Sequence, residues 1–133
     1  MENVVVTNFR AVPAIPPGSN YLSIVSRVRA DYRETEDDIK LHSLSLIIKS
    51  EVANEAVKSM MVDDLMYSEV TFYKTFIPEV RKLTDLSFTP RFFKTFSTTF
   101  SKIIFEDLEE RGFVDVNSLL SLDFEHCRLY IVA

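Results

Sequence analysis

The spacing of apolar residues changes period along this chain. Val4, Val5, Val6, Phe9 and Val12 predict a strand over 3–12, which Pro13, Pro16, Pro17 and Gly18 interrupt. In YLSIVSRVRADY (21–32), Leu22, Ile24, Val28 and Tyr32 alternate with Ser23, Arg27, Arg29 and Asp31, the pattern of a half-exposed strand. The acidic run ETEDD (34–38) reads as a turn, and HSLSLIIKS leads the next strand over 41–49. There Leu44, Leu46 and Ile48 point one way, and Ser43, Ser45, Ile47 and Lys49 the other. Over 62–77, Val62, Leu65, Met66, Phe72, Tyr73 and Phe76 recur at three and four, which is helical spacing, and Pro78 is expected to end or kink that helix. RFFKTFST (91–98) and SKIIFEDL (101–108) read as a hairpin, Gly112 as a break, and Asp123 as the N-cap of a short helix. The class is therefore α+β.

Composition narrows the function more than the fold. A chain of 133 residues is enough for one domain with a core. The net charge of −5 gives no basic footprint for nucleic acid. A single cysteine, Cys127, excludes an internal disulfide and fits a reducing compartment. The opening MENVVVTNFR lacks the basic and apolar regions of a signal peptide. No run approaches the roughly eighteen apolar residues of a membrane span. The expectation is a cytoplasmic protein with neither nucleic-acid nor membrane partners.

The candidate chemistry begins with a misplaced charge. At about 100° per residue, Glu69 falls at the centre of the apolar helical stripe. A buried lone carboxylate costs several kcal/mol, so it calls for a cation from the sheet beneath. Lys49, on the preceding strand, is the first candidate. The alternatives are Arg27 or Arg29, or a helix edge that is simply exposed at Glu69. A strand lysine held by a helix glutamate is the arrangement with which kinases hold the α- and β-phosphates of ATP.

Several further motifs fall in a matching order: GSNYLS (18–23), SLIIK (45–49), EVTFY (69–73), IIFEDLEERGF (103–113) and SLDFEHCRLY (121–130). With them the chain resembles the N-terminal lobe of ecdysteroid-kinase-like proteins, relatives of choline kinases and aminoglycoside phosphotransferases. The resemblance implies a protein-kinase-like N-lobe, a five-stranded antiparallel sheet with one packed helix, over 1–108. Its hinge falls near 105–108, and 109–133 starts a C-terminal lobe that is otherwise absent. It further implies that Lys49 contacts ATP phosphates and that Glu69 orients it. Gly18, Asn20, Tyr21 and Ser23 would form the loop over the phosphates. Glu106, Asp107 and Leu108 would form the hinge whose main chain meets adenine. The side chains of Glu106 and Asp107 carry no assigned role; a solvated turn or a cap accounts for them equally well.

Phosphoryl transfer also needs an aspartate for the acceptor hydroxyl and ligands for Mg²⁺. Neither His42 nor His126 begins an H-x-D motif, and Asp123-Phe124-Glu125 lies too close to the hinge to be the metal-binding triplet. His126 and Cys127 are adjacent on the expected helix and would diverge rather than pair. No catalytic or metal-binding residue is therefore assigned, and Mg²⁺ is expected only with a C-terminal lobe. The acceptor implied by the resemblance is a small hydroxylated, steroid-like molecule. The competing expectation is a non-catalytic lobe that binds another protein. With the second lobe absent, apolar surface around Phe105, Leu108, Phe113, Leu119 and Leu120 is expected to be left uncovered and to promote self-association. An unrelated α+β binding domain is the third reading, and it leaves Lys49 and Glu69 unexplained.

Overall fold

The computed structural model describes residues 4–16, 23–52, 62–84, 89–96 and 102–114. Within them lie five strands: β1 (Val5–Pro13), β2 (Ser23–Arg33), β3 (His42–Glu51), β4 (Phe92–Phe96) and β5 (Lys102–Glu106). They form one sheet in the order β1-β2-β3-β5-β4, and every neighbouring pair is antiparallel. β4 occupies the far edge because a helical segment separates it from β3, and the β4–β5 hairpin then folds β5 back into the gap. The acidic turn after β2 is closed by Asp38 N–H to the Thr35 carbonyl and by Lys40 N–H to the Asp38 carboxylate at 2.9 Å.

The helical segment runs further than its sequence predicts. Helix α1 (Val62–Thr71) passes into a π turn (Phe72–Phe76) and then into α2 (Ile77–Arg81), so Pro78 does not end it. Proline lacks an N–H and its ring crowds the carbonyl one turn back. The wider π turn sits immediately before it, with Ile77 N–H reaching the Phe72 carbonyl five residues behind. Pro78 thus falls in the first turn of α2, where its missing donor is tolerated.

The core lies between this segment and the β5 side of the sheet. Ile103 is fully buried and Phe105 nearly so, with Ile47, Val70, Tyr73 and Phe92 packed around them. Each such apolar side chain contributes about 1.5–3 kcal/mol on burial. The Tyr73 ring lies 4.8 Å from Phe105 and 5.9 Å from Phe92, centroid to centroid. Phe105 is therefore core and not part of an exposed apolar surface. Phe72 and Phe76, which the periodicity put in the apolar stripe, stack on each other at 5.2 Å and stay largely exposed. The expected roles of Val62, Leu65 and Met66 fall on side chains outside the described residues, as do Leu119, Leu120 and the helix expected from Asp123.

The sheet face that meets the helix is the mixed one. Pairing sets Val25 opposite Lys49, Arg27 opposite Ile47 and Ser23 opposite Glu51. On that face Ser23, Ser45 and Glu51 are buried, whereas Ile24 and Leu44, which point the other way, are exposed. Charges on the covered face of a sheet need partners, and for Lys49 and Arg27 described residues supply them.

Candidate functional site

Lys49 and Glu69 meet. The ammonium Nζ lies 2.5 Å from a Glu69 carboxylate oxygen, and each side chain is 27% exposed. β3 delivers Lys49 to the face covered by α1, and Glu69 on α1 looks down on it. The pair is half-open, so water or a ligand can reach the ammonium while the carboxylate holds it. The two competing cations are engaged elsewhere. Arg27 donates to Asp107, and Arg29 lies 3.8 Å from Glu110 on the surface. Beside the pair, burial first and the Glu69 charge second push the Tyr73 hydroxyl above its ordinary pKa.

On the same face of the sheet lies a recess of about 350 Å³, lined by Val25 of β2, Ile47 of β3 and Phe105 of β5 among others, though not by Lys49 or Glu69 themselves. Ile47 and Lys49 are two residues apart on one strand and therefore share a face. Glu106, Asp107, Leu108, Glu109, Phe113 and Val114 line the recess as well. The Glu106–Leu108 segment expected to act as a hinge thus borders an apolar slot on the lysine's side of the sheet.

The segment is not a solvated turn. Asp107 caps a 3₁₀ turn (Leu108–Arg111) by accepting from Glu109 N–H at 3.3 Å, and Gly112 ends that turn at φ +83°. Its carboxylate also accepts from Arg27 Nε at 2.7 Å and from Ser45 Oγ at 2.6 Å. Arg27 Nη2 adds a 3.4 Å bond to Asp107 and a 2.6 Å ion pair to Glu109. Burial pushes Asp107 up, but the bonds from Ser45, Arg27 and the Glu109 amide outweigh it and hold its pKa below the ordinary value. For Arg27, desolvation pulls the pKa down, and the bonds and charges of Asp107 and Glu109 reverse it, so the guanidinium is held more firmly protonated. Glu106 accepts from Arg91 N–H at 2.8 Å and Arg111 Nη1 at 2.9 Å. The Arg111 bond is the larger cause of its lowered pKa, acting against desolvation, with Arg91 adding to it.

Ser45 is not among the residues expected at the site, and Arg27 is expected only as an alternative partner for Glu69, a role it does not take. Their signal was present in the alternation, since Ser45, Ile47 and Lys49 share a parity, and Arg27 pairs with Ile47 across the strands. What sequence could not supply was the fold-back that brings Asp107 under them. Of the loop expected over the phosphates, Ser23 is buried at the start of β2; Gly18, Asn20 and Tyr21 lie outside the described residues. Among the described residues, no group of three or more His, Cys, Asp or Glu side chains could hold a metal ion. Among them too, no helix is long and apolar enough to cross a membrane. Asp123, His126 and Cys127 lie outside the described residues.

A half-open lysine–glutamate pair on the same sheet face as an apolar slot defines a candidate anion-and-base site, and sequence comparison supplies its family. The model of the ecdysteroid kinase-like family matches residues 17–132. The chain belongs to that family. No curated protein and no solved structure matches it.

Proposed function

We propose that the chain is the nucleotide-binding lobe of a kinase that transfers the γ-phosphoryl group of ATP to a hydroxyl of a small, ecdysteroid-like molecule. The observation that carries this is the Lys49–Glu69 pair on the same sheet face as the recess beside residues 106–108. A lysine on the third strand and a glutamate on the helix that follows is the disposition of protein kinases. That supports a kinase-like N-lobe over 1–108, with 109–133 as the post-hinge segment and the start of a second lobe.

The residues fit a nucleotide. A recess of about 350 Å³ falls within the range of small-ligand sites, roughly 300–1,000 Å³. Val25, Ile47, Phe105 and Leu108 offer apolar faces to a planar base. The Glu106 N–H and the Asp107 and Leu108 carbonyls are bonded to Arg91, Glu110 and Phe113, so in this reading the Glu106 carbonyl and the N–H groups of Asp107 and Leu108 would meet its edge. Lys49 would neutralise the α- and β-phosphates, with Glu69 keeping its ammonium aimed at them. Gly18, Asn20, Tyr21 and Ser23 would cover the phosphates, where N–H groups and a hydroxyl suit anionic oxygens.

Phosphoryl transfer depends on positioning and charge neutralisation. In this reading the aspartate that orients the acceptor hydroxyl, and the ligands of Mg²⁺, come from the second lobe. The 133 residues then bind nucleotide weakly and do not turn it over. The exposure of Phe113 and Val114, 53% and 83%, favours a second reading, a lobe that associates with itself or another protein through that end.

Titration of the chain with ATP, followed by NMR, tests the first reading. Wild type should show saturable shifts at residues lining the recess. Lys49→Ala should weaken binding about 10- to 100-fold, since a hydrogen bond to a charged group contributes about 1.5–3 kcal/mol. Equal affinity with and without Lys49 would refute it. Sedimentation in the absence of nucleotide tests the second, which requires concentration-dependent association.

A further inference from the structure

The phosphate-positioning pair leaves the buried carboxylate of Asp107 unexplained. Its side chain is 1% exposed, whereas that of Glu109, two residues on, is 44% exposed. Burying a carboxylate costs several kcal/mol unless it is fully bonded, and a hinge aspartate could have faced water instead. Here it is fully bonded, and the donors come from different parts of the fold: Arg27 of β2, Ser45 of β3 and the amide of Glu109 in the 3₁₀ turn. The main chain at 106–108 therefore cannot shift against the sheet without breaking these bonds. Glu106 adds a second clamp, accepting from Arg91 N–H and Arg111.

This cluster borders the recess, because Arg27, Asp107 and Glu109 line it together with Val25, Ile47 and Phe105. Arg27 already carries two carboxylates, so little of its charge remains to attract a phosphate. Its role is then to fix geometry. Main-chain groups have fixed polarity: an N–H can only donate and a carbonyl can only accept. Adenine presents an amino donor beside a ring-nitrogen acceptor, and guanine presents a carbonyl acceptor beside an N–H donor. A main-chain segment discriminates between them only while it is held in register, since a displacement of about 1 Å dissolves the match.

We propose that Asp107, held by Arg27 and Ser45, is a positioning residue for base selection, which keeps the 106–108 main chain where it matches adenine and rejects guanine. This rests on the nucleotide-binding reading above. It assigns base selectivity to a buried acid–base cluster and phosphate affinity to Lys49, so the two can be separated.

The test is titration of the 133-residue chain with ATP, GTP and inorganic triphosphate, in wild type, Asp107→Ala, Ser45→Ala and Lys49→Ala. Wild type should prefer ATP over GTP by about tenfold or more, as sites that hydrogen-bond a ligand edge do. Asp107→Ala should bring that ratio towards one. Ser45→Ala, which removes a single bond, should move the ratio part of the way and decides the matter if Asp107→Ala does not fold. Lys49→Ala should weaken all three ligands and keep the ratio. General destabilisation, followed by thermal melting, would lower all affinities together and not the ratio. An unchanged ratio in Ser45→Ala and in folded Asp107→Ala overturns the inference. Wild type that binds ATP and GTP equally overturns it too and leaves the nucleotide reading standing; wild type that binds no nucleotide overturns both.

Discussion

Replacing Asp107 by alanine should cost this domain about 2–3 kcal/mol. The substitution removes the acceptor of Arg27 Nε and of the Ser45 hydroxyl, and with them the cap of the 3₁₀ turn. Stranding a buried charge typically costs about 3–5 kcal/mol. Arg27 is not stranded, because its side chain is 16% exposed and Glu109 remains 2.6 Å away, so the loss falls below that range. The Ser45 hydroxyl, on a buried residue, loses its partner at about 1–3 kcal/mol, and the missing cap adds about 1 kcal/mol. Release of the Asp107 desolvation cost offsets part of this. Against a typical domain stability of about 5–15 kcal/mol, the change is large enough to read in urea. Far-UV circular dichroism should show the midpoint falling by about 1–2 M at an unchanged slope. The same carboxylate gives a pH signature. Its folded pKa lies below the ordinary 3.8, so its contribution is fully present above that value and is lost as pH falls through the lower, folded one. Wild type should therefore lose stability below about pH 4 more steeply than Asp107→Ala does. An unfolding free energy within ~0.5 kcal/mol of wild type, or parallel acid profiles, would show that the cluster does not hold the segment.

Further outcomes can be stated from the same geometry. A double-mutant cycle on Lys49 and Glu69 should give a coupling of only about 0.5–1 kcal/mol, since both side chains are 27% exposed and screened; coupling above ~2 kcal/mol would make the pair structural. Glu69→Gln should keep the fold yet reduce ATP affinity severalfold in the NMR titration, because an amide cannot hold the ammonium as a carboxylate does. Gly112→Ala should cost about 1 kcal/mol in thermal or urea unfolding, entirely from φ +83°, because an added Cβ would meet nothing within 4 Å; a neutral substitution would mean that the turn relaxes.

The element order could be read from sequence because it rests on local rules. Alternation over 21–32 and 41–49, the change to helical spacing after 62, and the paired runs near 91–108 all became the expected elements. The Lys49–Glu69 contact could be read as well, since a carboxylate in an apolar stripe demands a cation and the nearest strand carried one. Local rules also fell short. Alternation alone did not say which face of β3 is covered: Ile47 and Lys49 lie under the helix, whereas the apolar Leu44 on the other face is exposed. Phe72 and Phe76 fit the stripe by spacing, yet they bound the π turn and stay exposed. What only the tertiary structure decided is the cluster around Asp107. Its partners stand 80 and 62 residues away along the chain, and nothing local relates an aspartate before a 3₁₀ turn to an arginine and a serine on two other strands. The antiparallel register brings them together. The burial that results turns an ordinary cap into the point where the sheet holds the 106–108 segment.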